Sequence, residues 1–271
     1  MSDAVIAADA ASVEAHDSGQ GVRQLLLRET KHRLSVELRS RLRVAIEEAA
    51  SAPEVRAIVL GTAGAHFSVG GDLATMKRLL DASESRKHAH MLDGTRLARA
   101  FYQCRKPIVA AVSGGCHGAG AALVLLCDTI VVGKSTQFGF PFLRMGLVPD
   151  FGISHTLARR VGEAVTRQIL LYAKTVTGAR AVQMGLADEC VQDAHVLPRA
   201  VELATLLAAM PAHALALTKD MLRDGVWSLE SALLMEAMNQ SQLFGSADMR
   251  EGLRAFFEKR EPLFNKEQEN G

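Results

Sequence analysis

The sequence predicts a layered α/β fold followed by a helical C-terminal part. Three observations predict it: short β-branched apolar runs that end in glycine-rich loops, apolar positions at helical spacing between those runs, and a near loss of strand patterns after Gly162. The chain has 271 residues, of which 48% are hydrophobic, which suits one large globular domain or a domain with a helical appendage.

The first 20 or so residues are rich in Ala, Ser and Asp, and they read as a flexible arm over 1–20 in which residues 4–8 could pair as an edge strand. A core is expected over 21–210 and the helical part over 211–271. Residues 25–27 form a short apolar strand. From Ser35, a plausible N-cap, Leu38, Leu42, Ile46 and Ala49 recur at helical spacing until Pro53 ends the helix. Residues 57–60 then read as a buried parallel strand closed by a loop over 61–64. The same rhythm returns with a strand over 108–112, a glycine-rich loop over 114–120, an apolar helix over 119–126 and a strand over 129–132. Helices follow over 163–173, 179–184, 196–210, 212–223, 229–244 and 249–259. The last two keep Leu233, Leu234, Met238, Leu253, Phe256 and Phe257 for an apolar face that packs on the core or on another subunit.

Lys and Arg number 31 against 30 Asp and Glu, a formal charge of +1, so no nucleic acid and no anionic membrane is expected as a partner. Basic residues are interleaved with acids, as over 39–48, which speaks against RNA binding. The four cysteines, Cys104, Cys116, Cys127 and Cys190, lack the CxxC spacing of a zinc site and read as buried, reduced thiols. No metal is expected. No apolar run reaches the roughly 18 residues of a spanning helix, and the acidic start lacks the basic n-region of a signal peptide. A soluble, cytoplasmic protein is the expectation.

Two loops carry the chemistry: AHFSVGGDL over 65–73 and SGGCHGAGAAL over 113–123. Each puts small residues where a strand ends and a helix begins, which exposes backbone N–H groups. Such donors suit a developing oxyanion, and one is commonly worth about a hundred- to a thousandfold in rate. Either loop alone is also an ordinary tight turn. Together, their order and separation resemble the two halves of the oxyanion hole in the crotonase (enoyl-CoA hydratase/isomerase) superfamily. The resemblance runs from about residue 23 to 264 through LLLRETKHRLSVEL, VRAIVLGTAGAHFSVGGDL, KPIVAAVSGGCHGAGAALVLLCD, QFGFPFLRMGLVPDFG, GARAVQMGLADECV and REGLRAFFEKREPLF.

That resemblance implies a layered β-β-α spiral core with a helical C-terminal trimerisation part, in a homotrimer or a hexamer of two trimers. It implies an acyl-CoA thioester as partner and coenzyme A as part of the substrate, with no covalently bound cofactor. The backbone N–H groups of Gly71 and Ala119 would hold the thioester oxygen. Ala65, Phe67, Val69, Asp72, Leu73, Gly118 and Phe142 would line the substrate and its CoA. Phe256 and Lys259 would help the CoA, whether from the same subunit or a neighbour. A lysine in an EKR run is otherwise a solvated helix end.

Departures from the family pattern point to the reaction. Family hydratases hold a water between two glutamates, and those positions here are Ala122 and Phe142. Neither side chain can take or deliver a proton, so hydration by the usual route is not expected. Asp150, in GLVPDFG, stands where family isomerases carry an acidic base and related dehalogenases a nucleophilic aspartate. A dehalogenase also needs a histidine base and a tryptophan, but the tryptophan position is Phe142 and Trp227 lies in the helical part. Pro-Asp-aromatic-Gly is also an ordinary turn sequence, in which the carboxylate binds backbone N–H groups. If Phe140, Phe142 and Phe151 surround Asp150, desolvation raises its pKa and makes it the stronger base. The reading is an enoyl-CoA isomerase with Asp150 as proton shuttle, acting on an unsaturated fatty acyl-CoA, as in fatty acid and lipid metabolism, or on a ring-derived acyl-CoA. The alternatives are a hydratase of unusual or weak activity and a non-catalytic acyl-CoA-binding member of the family. His117 reads as a polar residue on the outer side of its loop, His66 and Asp72 as braces of the first loop. Met76, Leu79, Leu80 and Met91 wall an acyl tunnel or form one face of a packed helix, the latter being preferred.

Overall fold

The computed structural model describes residues 12–28, 33–224 and 228–265. Expected as part of a flexible arm, Ser12–Asp17 instead forms strand β1 and pairs antiparallel with β2 (Val22–Arg28) through a turn that holds Gly19 and Gly21 at positive φ. The edge strand suggested at 4–8, and Trp227, lie outside the described residues. After β3 (Arg33–Leu34) comes α1 (Val36–Ser51), capped by Ser35, whose Oγ accepts the Leu38 N–H at 3.1 Å. Such a cap contributes about 1 kcal/mol. Then follow β4 (Ala57–Thr62), β5 (Gly70–Gly71), α2 (Leu73–Leu80), α3 (Glu84–Gln103), β6 (Ile108–Val112), β7 (Gly115–His117) and α4 (Ala119–Val124). The sequence extends α4 to 126, but it ends two residues sooner.

The chain continues through β8 (Thr129–Gly133), β9 (Gln137–Gly139), a 3-10 turn over Phe142–Met145, α5 (Ile153–Val161) and α6 (Glu163–Leu171). Strand signals do not vanish beyond Gly162: β10 (Thr175–Thr177) and β11 (Glu189–Val191) flank α7 (Gly178–Gln183). Each has three residues, too few for a period of two to declare itself. Helices α8 (Val196–Ala208), α9 (Ala212–Asp224), α10 (Leu229–Leu243) and α11 (Ala247–Glu258) complete the C-terminal part.

Among the described residues the main sheet has the order β1-β2-β4-β6-β8-β11, parallel from β2 onward. Side chains alternate across it, and both faces are buried, which is why these strands read as continuous apolar runs. Val59, Val109 and Val131 face α8 through Ala200 and Ala204. Ile58, Leu60, Ile108 and Val132 face the other way, onto Leu38, Leu42 and Ile46 of α1 and Leu97 and Phe101 of α3. Full burial of each such side chain is worth about 1.5–3 kcal/mol. Two smaller sheets, β10-β9-β7 and β3-β5, stand at the end where β4 and β6 terminate. No single described helix is long and apolar enough to cross a membrane.

The helical part is tied to the core by Lys219, whose Nζ donates to the Lys106 carbonyl at 2.7 Å and to Asp128 at 2.6 Å. Tyr102 donates its hydroxyl to the Arg223 carbonyl. Leu233, Leu234 and Met238 of α10 and Leu253, Phe256 and Phe257 of α11 are exposed in the single chain.

Candidate active site

The two glycine loops are laced together by main chain. Phe67 N–H donates to the Ser113 carbonyl at 2.9 Å, Ser68 N–H to Gly115 at 3.0 Å, and His117 N–H returns to Ser68 at 2.9 Å. His66 braces the loops from its side chain, with Nδ1 accepting the Gly115 N–H at 2.9 Å. Gly70 (φ +92°) and Gly118 (φ +51°) then meet back to back: a Cβ on Gly70 would lie 3.0 Å from the His117 carbonyl oxygen, and one on Gly118 3.8 Å from the Gly70 Cα. Positive φ favours glycine at both, and at Gly70 the close approach requires it as well. Gly71 and Ala119 each follow one of these glycines, so the contact brings their peptides to one place. Ala119 opens α4, where an N–H has no acceptor within the helix. Gly118 N–H is already committed to the Gly139 carbonyl at 2.9 Å.

Asp72 does what the sequence suggests, capping α2 by accepting from Ala74 and Thr75 N–H and from the Thr75 hydroxyl at 2.6 Å. These bonds, the Thr75 hydroxyl first, hold its carboxyl below the usual range, and Arg33 stands 3.8 Å away. Phe67 is fully buried under the first loop, while Ala65, Val69 and Leu73 are exposed along it. Helix α2 buries none of its residues fully, with Met76 and Leu79 half-buried and Leu80 exposed, so it presents no face sealed against the core. Met76 turns to Gly71 instead, its Cε 2.5 Å from where a Gly71 Cβ would stand. His117 is half buried in β7, its ring packed against Gly139 and Gly115, and burial lowers its pKa, with His66 adding to the effect.

The hydratase glutamate positions are closed and apolar. Ala122 is inaccessible within α4, whose six residues are all buried, and Phe142 is 8% exposed at the start of the 3-10 turn after Pro141. Asp150 follows in the connection to α5. Phe151 (φ +52°) and Gly152 (φ +79°) turn the chain sharply there, and Ile153 N–H donates to the Asp150 carbonyl at 3.1 Å. A left-handed phenylalanine costs about 1–3 kcal/mol. Burial of its ring offsets that cost, for Phe151 lodges against Gly94 of α3, where a Cβ would lie 2.9 Å from its Cε2. Asp150 Oδ1 is shielded from solvent and has no hydrogen-bond partner. Burial pushes the carboxyl from an ordinary 3.8 up to about 6, against the opposing pull of Arg39 and of its own backbone N–H.

Arg39 is the residue that sequence reasoning missed. Read as one charge of an interleaved surface run, it is 5% exposed, with its Nη2 3.2 Å from His90 Nδ1 and its Nε 3.5 Å from Asp93. The signal was available: Arg39 stands three and seven residues before the buried Leu42 and Ile46, on the same flank of α1. Helix α1 leaves β3 just after Leu34, the residue paired with Gly71, so the Arg39 cluster belongs to the same end of the molecule as the first loop.

Phe256 and Lys259 are not brought to this site by hydrogen bonds or ion pairs among the described residues. Phe256 is exposed and stacks edge-on with Phe257, and Lys259 ends α11 in the left-handed region. A cavity of about 700 Å3 lies elsewhere, between α9 and the N-terminal ends of β6 and β8, lined by Tyr102, Cys127, His155 and Leu222. The glycine loops leave the opposite ends of these strands, so that cavity has no part in the site. No group of three His, Cys, Asp or Glu among the described residues could hold a metal ion.

The pattern described as "Enoyl-CoA hydratase/isomerase" matches residues 17–268. A probable enoyl-CoA hydratase of Rhodobacter capsulatus is 36% identical over 239 residues, 87% of this chain and 90% of that protein. A crotonyl-CoA hydratase of Syntrophomonas wolfei is 30% identical over 208 residues, 76% of this chain and 79% of that protein. Among solved structures, an enoyl-CoA hydratase from Polaromonas superposes with a TM-score of 0.89 at 26% identity, covering 93% of this chain and 99% of that one.

Proposed function

Since this chain belongs to the enoyl-CoA hydratase/isomerase family, the acyl-CoA enzymes of the crotonase fold, we propose that its reaction is the shift of a carbon–carbon double bond along an acyl-CoA thioester. The observation that carries this reading is Asp150: a shielded carboxylate oxygen without a partner, on a group whose burial raises its pKa to about 6. A carboxylate so desolvated is a stronger base than a free one.

The steps follow from the residues. Gly71 and Ala119 direct their N–H groups at the thioester oxygen and hold the negative charge that develops there. Asp150 takes a proton from the carbon next to the carbonyl. The electrons form an enolate conjugated with the double bond, and the same carboxyl returns the proton two carbons along. Atoms and charge balance without water or a redox partner, so one acid-base group suffices. Val69, Leu73, Met76 and Phe142 supply apolar wall for the acyl chain. Several relatives are named hydratases, but addition of water needs a second proton-transfer group, and Ala122 and Phe142 offer none. A non-catalytic acyl-CoA binder has no use for a buried carboxyl with a partnerless oxygen.

The exposed apolar residues on α10 and α11 support assembly into a trimer or stacked trimers, in which Phe256 and Lys259 could reach a CoA. The test is a panel of acyl-CoA thioesters in deuterated water. Exchange at the carbon next to the carbonyl, accompanied by double-bond migration, supports the reading. Hydration without migration on any enoyl-CoA removes it.

A further inference from the structure

Arginine is among the residues least often fully buried unless paired, and Arg39 is buried without a close ion pair. Its nearest carboxylate contact is Asp93 at 3.5 Å, and its Nε has no hydrogen-bond partner. Three groups share its field: Asp93 and His90 from α3, and Asp150 from the turn before α5. Gly94 permits the arrangement, since a Cβ there would stand 2.9 Å from the Phe151 ring and 3.3 Å from Arg39 Nη1. The absent side chain lets the guanidinium and the residue after Asp150 close on the same point of α3. The orphaned atoms, Arg39 Nε, Asp93 Oδ2 and Asp150 Oδ1, belong to one cluster.

We propose that Arg39 is a positioning residue for Asp150: a buried cation, tethered off-centre by Asp93 and His90, that holds the charge of Asp150 without closing a salt bridge on it. This rests on Asp150 being the base of the reaction proposed above. A direct bidentate pair would quench a carboxylate as a base, and no cation at all would leave less of it ionised at neutral pH. The tether divides the arginine between two acids and keeps Asp150 between those limits. Charged groups facing Asp150 come from α1 as Arg39 and, behind it, from α3 as Asp93 and His90. On α5 the nearest titratable side chain, His155, is turned to the Tyr102 ring, 6.4 Å between centroids. Burial first and Arg39 second lower the His90 pKa, against the opposing pull of Asp93, so both favour its neutral form.

The test uses the full chain with Arg39→Gln, Arg39→Lys and Asp93→Asn. Two readouts are followed against pH: exchange of the proton next to the thioester carbonyl, and the carbon-13 carboxyl signal of Asp150, assigned by its loss in Asp150→Asn. Arg39→Gln should move the Asp150 midpoint up by about one pH unit, the common influence of a neighbouring arginine. Asp93→Asn should move it down, because the guanidinium then has only Asp150 to serve. Arg39→Lys should restore most of the wild-type value. A midpoint unmoved in Asp93→Asn, or one in Arg39→Lys shifted as far as a lost cation would shift it, overturns the proposal, even if Arg39→Gln fails to fold. The carboxyl signal reports whether or not substrate turns over. Opposite shifts without exchange therefore retain the inference and sink the isomerase reading, while exchange with immobile midpoints does the reverse.

Discussion

Asp150→Asn preserves size and most hydrogen-bonding capacity while removing the only proposed base. Exchange and isomerisation should fall by about two to four orders of magnitude, the usual worth of a positioned general base. The wild-type rate should fall with acid as the carboxylate protonates near pH 6, to about a tenth at pH 5, and this limb should be missing in the variant. Stability should move the other way. Below pH 3.8 the carboxyl is protonated in folded and unfolded chains alike and carries no penalty. As pH rises the unfolded chain ionises first, so folding loses stability until about pH 6 is passed. The span from 3.8 to about 6 corresponds to about 3 kcal/mol, an upper bound for a group with some solvent contact. Asp150→Asn should therefore be more stable than wild type at pH 8, with the difference shrinking toward zero as pH falls below 3.8, by denaturant titration across that range. Loss of stability at pH 8 with unchanged exchange per folded molecule would show a turn residue, and the isomerase assignment would lose its base.

Ala119→Gly should keep activity and Ala119→Pro should abolish it by deleting the N–H, since the first position of a helix accepts proline readily; equal loss in both, by rate assay on folded protein, would assign the loop to packing. Gly120→Ala should destabilise by several kcal/mol, because the new methyl would press into the Ser68 side chain, whereas Gly71→Ala should be mild, displacing only the flexible end of Met76; calorimetry of the pair checks the order. Light scattering at micromolar concentration should give the mass of a trimer or hexamer, and a monomer would leave the apolar faces of α10 and α11 unexplained. Crotonyl-CoA hydration, followed by loss of enoyl thioester absorbance, should run at least about a hundredfold below isomerisation for want of a second acid-base group.

Much of this site was legible in the sequence because main chain makes it. Glycines at 70, 71, 114, 118 and 120 announce where backbones approach, and the apolar runs of β4 and β6 announce the strands that carry them. Ala122 and Phe142 could be read as missing acids because a motif fixes their positions. Arg39 could not be read so easily, since its burial depends on α3 arriving with Gly94 and Asp93 opposite it, a contact between distant segments. The strands β10 and β11 escaped notice because a three-residue strand is specified by its partner, here β9 and β8 respectively, more than by its own pattern. Met76 could not be placed from sequence, because its half-buried side chain packs on Gly71, a contact that helical spacing does not specify.

The order of elements along the chain has a consequence for how such an enzyme diversifies. Both proposed oxyanion donors, Gly71 and Ala119, belong to segments anchored at the ends of the sheets, whereas Met76, His90 and Asp93 ride on the excursion of α2 and α3 that connects β5 to β6. Natural selection, or a library confined to residues 73–103, can rewrite the acyl wall and the surroundings of the acid without disturbing the donors. The excursion is where change would reshape the proposed site, and the main-chain bonds between the two glycine loops are the frame.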